Sequence, residues 1–260
     1  MKSSLRNGVN YIKHAFSDLL FPRTCTFCDS GPVETRSYLC DACSQSIRIV
    51  SHPFCIQCGL PVPGLALQSE GVCGRCLTAP PPYHRARFGV YYERPLRESL
   101  IRFKFSAALH VGRTLYQILL EGFQRHFTGS EFDLIVPVPV HPKRLVRRGF
   151  NQAVILAAGL SAQTPLRLDR TSLTKIKDTP PQVGLPKAQR VANLRNSFGV
   201  QGSINIREKR ILLIDDVATT GSTISEAAKI LMKAGASRVD ALVLALRTAD
   251  IVPSVSPSES

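Results

Sequence analysis

The apolar positions of this chain change period along its length, and each period predicts an element. Val9, Ile12, Phe16, Leu19 and Leu20 fall at helical spacing and predict a short amphipathic helix within residues 1–22. "RFGVYYE", 87–93, alternates as a strand does. Pro95 then opens a helix with Leu96, Leu100 and Phe103 at i, i+4 and i+7. A second helix puts Val111, Leu115, Ile118, Leu119 and Phe123 on one stripe. "DLIVPVPV", 133–140, reads as a buried strand, and "RRGFNQAVILAAGLSAQ", 147–163, as one helix. "RILLIDD", 210–216, is a strand. Residues 222–234 form a helix with Ile224, Ala227, Ala228 and Leu231 inward, stopped at Gly235. "RVDALVLALR", 238–247, is the last strand. Strands alternating with helices predict an α/β domain, a parallel sheet flanked by helices on both faces.

Three segments break the alternation. "TAPPPYHRAR", 78–87, is proline-rich and reads as a linker. Residues 174–197 have weak periodicity, many basic and amide side chains, and Pro180, Pro181 and Pro186. That is long for a loop inside a compact domain, and such loops are functional lids or disordered segments. The tail "PSVSPSES" reads as disordered. The expected organisation is a helix within 1–22, a cysteine-rich region over 23–78, a linker over 79–87, the α/β domain over 88–250, and a disordered tail over 251–260.

Composition adds a partner class. The 33 Lys and Arg against 19 Asp and Glu give a formal charge of +14. That excess suggests a polyanion: nucleic acid, anionic lipid or a phosphorylated ligand. No apolar run of about 18 residues exists to span a membrane. Lys2 and Arg6 are not followed by the apolar core of a signal peptide. A cytoplasmic location is the expectation.

All eight cysteines lie in C-x-x-C pairs before residue 80: Cys25 and Cys28, Cys40 and Cys43, Cys55 and Cys58, Cys73 and Cys76. Two such loops converge on one tetrahedral Zn²⁺, each supplying two thiolates at a narrow turn. Four loops imply two sites of four thiolates each. Neighbouring loops are the expected pairs, and first-with-third interleaving is the alternative. In "CGLPVPG" Gly59 lets a knuckle close with positive φ. A full thiolate set leaves no vacancy for His52. The sites are expected to be structural, supplying folding energy to a segment too small for a core. The stiff frame also displays Arg36, Arg48, Arg75, Arg85 and Arg87.

The chemistry concentrates in "ILLIDDVATTGSTI", 211–224. In parallel sheets ligands bind beyond the carboxyl ends of strands. Asp215 and Asp216 lie at such an end, and "VATTGST" leads into a helix N-terminus, which favours phosphate. Thr219, Thr220, Ser222 and Thr223 add hydroxyls, and Gly221 permits close approach. Thr223 with Glu226 also spells a capping box. Two carboxylates beside a phosphate cradle suit vicinal hydroxyls, so a ribose 5-phosphate fits both halves.

These residues resemble the phosphoribosyl-pyrophosphate (PRPP) motif of type I phosphoribosyltransferases. With "VPVHPKRLVRRGFNQ" and the cysteine pairs, the chain resembles more narrowly the ComF family, linked to competence for DNA uptake, over about residues 20–248. The resemblance implies a double zinc ribbon followed by a transferase-like domain. It makes Asp215 and Asp216 the ribose-contacting and catalytic acids, with Ala218, Thr219, Thr220, Gly221, Ser222 and Thr223 around the 5′-phosphate. Val138 and Arg144 would serve the pyrophosphate loop. "TPPQVGLPKAQRVANLRNSF" is similar to the flexible loop of amidophosphoribosyltransferases, with Thr179, Gln182, Arg190 and Asn193 carried over. Mg²⁺ would bridge PRPP oxygens.

Arg144, Arg147 and Arg148 are too many for one pyrophosphate. Phe150 beside them offers a stacking face, as single-stranded nucleic acid requires. Cations at a helix start oppose the dipole, which suggests an anionic ligand. Gly149 and Asn151 would shape the turn. No hood selecting an acceptor base is identifiable, and only a short tail follows the last strand.

Two functions remain. One is a DNA-processing protein that holds PRPP or ribose 5-phosphate and single-stranded DNA, with DNA-uptake or recombination proteins as partners. The other is an active phosphoribosyltransferase with an unidentified acceptor. A purine-gene regulator would need a DNA-reading helix that the sequence lacks.

Overall fold

A computed structural model describes residues 24–30, 33, 38–62, 71–105, 109–179, 193–201 and 206–248. The predicted N-terminal helix and the tail lie outside them. In chain order the elements are α1 Asp41–Gln45, α2 Gly74–Thr78, β1 Ala86–Tyr91, α3 Leu96–Phe105, α4 Leu109–His126, β2 Leu134–Pro137, α5 Pro142–Arg148, α6 Gln152–Ala162, β3 Arg167–Leu168, β4 Leu173–Lys175, β5 Phe198–Val200, β6 Arg210–Ala218, α7 Ser222–Lys233 and β7 Arg238–Leu246.

Five strands form one parallel sheet in the order β1-β7-β6-β2-β3. The centre is β6, whose alternating side chains serve two cores. Leu212 and Ile214 join Leu115, Leu119, Leu156 and Leu160 on one face, while Ile211 and Leu213 join Ile224, Ala227 and Leu231 on the other. A strand buried on both faces is apolar at every position, hence the unbroken "ILLI". Arg210 fixes register at the far end: its Nη2 donates to Asp133 Oδ1 at 2.9 Å and its backbone N–H to Oδ2 at 2.8 Å. Among the described residues no helix is long and apolar enough to cross a membrane.

The topology locates a crevice without reference to any motif. From β2 the chain crosses by α6 to β3 on one side; from β6 it crosses by α7 to β7 on the other. Helices α6 and α7 therefore pack on opposite faces, and the carboxyl ends of β2 and β6 part between them. Such a switch point is where open α/β sheets place ligands. Asp215 and Asp216 lie in β6 just past Ile214, its last residue paired with β2, and Val138 directly follows β2.

The cysteine-rich region is mounted on the sheet. Residues 48–50 run antiparallel along the outer edge of β1: Val50 donates to the Gly89 carbonyl at 3.2 Å and Tyr91 to that of Arg48 at 2.8 Å. This covers an edge that would otherwise offer unpaired backbone groups. The second knuckle docks at the start of β1, where Ala86 donates to the Gln57 carbonyl at 2.8 Å. There Gly59 has φ +71°, and a Cβ would lie 2.3 Å from the Ala86 oxygen, so no other residue fits.

Four expectations change. The helix predicted over 147–163 is two helices, parted at Gly149 with φ 81°. The segment 174–197 has paired ends: β4 and β5 form an antiparallel ribbon around it. Thr223 does not cap α7; the cap position is Gly221, and Glu226 Oε1 instead accepts from the Asn196 N–H at 2.7 Å. The linker predicted over 79–87 runs into β1, which begins at Ala86, and it buries Tyr83 while Ala79, Pro80, Pro82 and His84 stay exposed.

Candidate functional site

At the end of β6 the two acids differ. Asp215 Oδ1 accepts from the Asp216 N–H at 2.9 Å, and Asp216 Oδ1 from the Val217 N–H at 2.7 Å. Asp216 Oδ2 pairs with Lys104 Nζ of α3 at 2.5 Å. Burial first, and the Asp216 carboxylate second, push the Asp215 pKa up to about 8; the Asp216 amide, Lys104 and Lys175 oppose the shift. Burial works against the Lys104 ammonium, but Asp216 outweighs it and holds its pKa above the ordinary value.

Two more cations act on the acids through their charge. Lys175, on β4, is pushed down by burial, with Asp215 among the charges opposing the shift. Arg148 is lowered by burial, with Asp216 opposing. Elements distant in sequence thus bring three cations to two carboxylates. Lys104 was missed by sequence reasoning. Its signal is position: with Leu96, Leu100 and Phe103 it completes i, i+4, i+7 and i+8, a charge on an apolar stripe. Lys104→Met leaves Asp216 buried without its partner. Urea unfolding at neutral pH is expected to show a loss of roughly 3 kcal/mol.

The phosphate turn follows. Gly221 takes φ 75°, which lets the chain enter α7 directly from Thr220. Thr220 Oγ1 and Ser222 Oγ lie 2.7 Å apart. The first amides of α7 have no intrahelical acceptor. Across the crevice, Val138 is buried, and Asn151 holds its carbonyl through Nδ2 at 3.0 Å while capping α6 through Oδ1 at 3.0 Å. Arg144 donates to the Thr179 carbonyl and lies 3.9 Å from Asp178, so it links the loop after β2 to the base of the predicted lid. Asn193 lies at the lid's returning end; Gln182 and Arg190 lie outside the described residues.

The basic cluster is arranged differently from expectation. Arg147 and Arg148 occupy the last turn of α5, where the dipole favours cations. The argument from an electrostatic penalty therefore does not apply to them. Arg147 is exposed beside Val146, which is 85% exposed. Phe150 leans on Phe103 at 5.3 Å between ring centroids and packs against the core, so its ring is partly committed there.

The cysteines form two groups, Cys25, Cys28, Cys40 and Cys43, and Cys55, Cys58, Cys73 and Cys76, each with all sulfurs within 4.8 Å. Pairing is between neighbouring loops. Tetrahedral Zn–S bonds of about 2.3 Å imply sulfurs about 3.8 Å apart; Cys28 to Cys40 and Cys58 to Cys73 are each 3.8 Å. The Cys58 and Cys73 amides donate to Cys55 Sγ at 3.5 and 3.3 Å, as a thiolate ligand requires. The donor sets fit zinc.

Comparison with known proteins agrees with both parts. The double zinc ribbon domain family matches residues 16–77, and the phosphoribosyl transferase domain family residues 110–257. DNA utilization protein YhgH of Escherichia coli K12 is 34% identical over 224 residues, covering 85% of this chain and 96% of that protein. Competence protein F of Haemophilus influenzae is 32% identical over 225 residues, with the same coverage. The chain belongs to the ComF family. Within it, competence protein ComFC of Streptococcus pneumoniae is 28% identical over 78% of this chain and 85% of its own length. Among solved structures, a PRPP amidotransferase from B. subtilis overlays 51% of this chain and 25% of its own, at 18% identity and a TM-score of 0.34, too loose to support any reading.

Proposed function

We propose that this ComF-family protein binds PRPP or ribose 5-phosphate in the switch-point crevice and single-stranded DNA beside it, and acts in the uptake or utilisation of external DNA. The observation that carries the reading is the pairing of Asp215 and Asp216 with the turn at Thr219–Thr223 at one strand end. The acids accept from the ribose hydroxyls; the turn, with Ala218 behind it, takes the 5′-phosphate. Val138 and Arg144 serve the pyrophosphate, and Thr179, Gln182, Arg190 and Asn193 belong to the closing loop. Mg²⁺ arrives on the PRPP oxygens, since the described acids form no cage of their own. Two zinc ions hold the ribbon module over about 23–78, ahead of a transferase-like domain over 88–250.

The DNA reading is supported by the +14 charge, the relatives named for DNA utilization and competence, and the Arg144, Arg147, Arg148 and Phe150 cluster. The cell interior is the compartment this reading requires, with proteins of DNA uptake or recombination as partners. Calorimetric titration with PRPP, ribose 5-phosphate and a single-stranded oligonucleotide, separately and then in sequence, tests it. Oligonucleotide affinity should fall steeply as salt rises. A flat salt response removes the DNA half, and no heat with either sugar phosphate removes the other.

A second reading, an active pentosyltransferase with an acceptor still to be identified, draws on the loop after β2 and on Arg144. Arg144 and the loop after β2 offer a place for a leaving pyrophosphate, which a plain ribose 5-phosphate holder would not need. Pyrophosphate released from PRPP by the wild type and absent in Asp216→Asn supports turnover. No release with any nucleobase or amine acceptor removes it.

A further inference from the structure

The phosphate turn has a neighbour from the other part of the chain. Arg75 lies in α2, between the ligands Cys73 and Cys76. Its Nη2 donates to the Thr220 carbonyl at 3.4 Å. Among the described residues it has no carboxylate partner. Tyr83, buried just before β1, makes a second connection. Its hydroxyl lies 3.6 Å from where a Cβ on Gly221 would sit. The second ribbon therefore touches the turn through Arg75, and Tyr83 of the segment that follows it lies close by. The first does not: it docks on α3 and α4, through Arg102 to the Thr26 and Phe27 carbonyls and Thr26 to Thr114.

The contact has a consequence for ligand binding. A trans peptide puts its C=O and N–H on opposite sides. A guanidinium holding the Thr220 carbonyl therefore aims the Gly221 amide away from the ribbon. That amide is one of the donors a phosphate at the head of α7 would use. The fixed positive charge also adds to the field at the helix end.

We propose that Arg75 is a positioning residue of the phosphate turn, so that the second zinc site sets the affinity for the phosphomonoester end of the sugar. This rests on reading the turn as a phosphate site. Ribose 5-phosphate and pyrophosphate are titrated calorimetrically into full-length, zinc-loaded wild type, Arg75→Ala and Arg75→Lys. Zinc content and melting temperature are measured on each. Arg75→Ala is expected to lose about tenfold in ribose 5-phosphate affinity, with pyrophosphate affinity, two zinc ions and melting temperature retained. Arg75→Lys, which keeps the charge, should regain part of the loss. Unchanged ribose 5-phosphate affinity in Arg75→Ala overturns the inference, and so does an equal loss for both ligands, which would report general loosening. If the wild type takes up no ribose 5-phosphate, the reading of the turn fails and this inference falls with it.

Discussion

Stripping zinc from the protein is expected to unfold the second ribbon completely and the first only in part. The second has little core of its own: among the described residues, Leu60, Val62, Val72 and Cys73 pack around Cys55, Cys58 and Cys76. A fully buried Val or Leu contributes about 1.5–3 kcal/mol, and each ordered residue costs about 1–2 kcal/mol of backbone entropy. Three partly buried aliphatic side chains cannot offset the ordering of two loops. A structural zinc, at about 10–16 kcal/mol in isolated fingers, can. The first ribbon has other holds. Cys25, Phe27 and Cys43 belong to the main core, and Arg102 grips two of its carbonyls at 2.8 and 2.6 Å. Metal analysis should find two zinc ions per chain, and one in Cys73→Ser. After chelation, hydrogen exchange should show protection lost over 53–62 and 71–78 and partly kept at Thr26, with the β6 amides unchanged. Full protection of 53–62 in metal-free protein would show that packing suffices there.

Local pattern carried much of this architecture, and long-range contact carried the rest. The runs at 211–214 and 239–246 announce buried parallel strands because both faces of each strand are covered. The cysteine loops announce their sites because ligand spacing lies within a few residues. Asp215 and Asp216 are legible because an acid pair is costly at a strand end without a ligand or partner. The failures have one cause. Gly149 ends α5 while Gly159 rides inside α6, and the one local mark that separates them is the Asn151 cap two residues after Gly149. Once the chain breaks there, Arg147 and Arg148 move from a supposed helix start to a real helix end. The ribbon of β4 and β5 joins residues about 25 apart across a segment without periodicity, so no short window reveals it. Lys104 reaches the crevice from a helix that carries no motif, and Arg75 from a cysteine pair whose motif speaks only of metal. Their roles depend on how α3 and the second ribbon sit on the sheet, which sequence spacing does not encode.

Asp215→Asn is expected to stabilise the fold more at pH 9 than at pH 5 while abolishing the pH dependence of ligand binding. The Asp215 pKa stands at about 8 in the folded protein, against an ordinary 3.8. Between those values the folded state holds a proton that the unfolded chain has released. Its contribution to stability is full below pH 4, declines as pH rises, and is gone above pH 8. Asparagine does not titrate, so the variant's melting temperature should rise relative to wild type as pH rises. Binding runs the other way. Ribose hydroxyls donating to Asp215 favour its ionised form, so uptake of the sugar expels a proton. The ligand's own phosphate has its second pKa near 6 and is mostly ionised by pH 7, which leaves pH 7 to 8 as the window of the carboxyl. There wild-type affinity for ribose 5-phosphate should rise about fivefold, as the ionised fraction of a group with a pKa near 8 does. Calorimetry in two buffers of different ionisation enthalpy should count close to one proton released at pH 7. The groups facing Asp215 set the sign: burial and Asp216 raise its pKa, and Lys104, Lys175 and the Asp216 amide pull it back. Lys104→Met should therefore move the affinity rise to higher pH. A proton count of zero, with affinity level from pH 7 to 8, would mean that Asp215 is already ionised before the sugar arrives. The burial that sets it apart from Asp216 would then have no part in recognition.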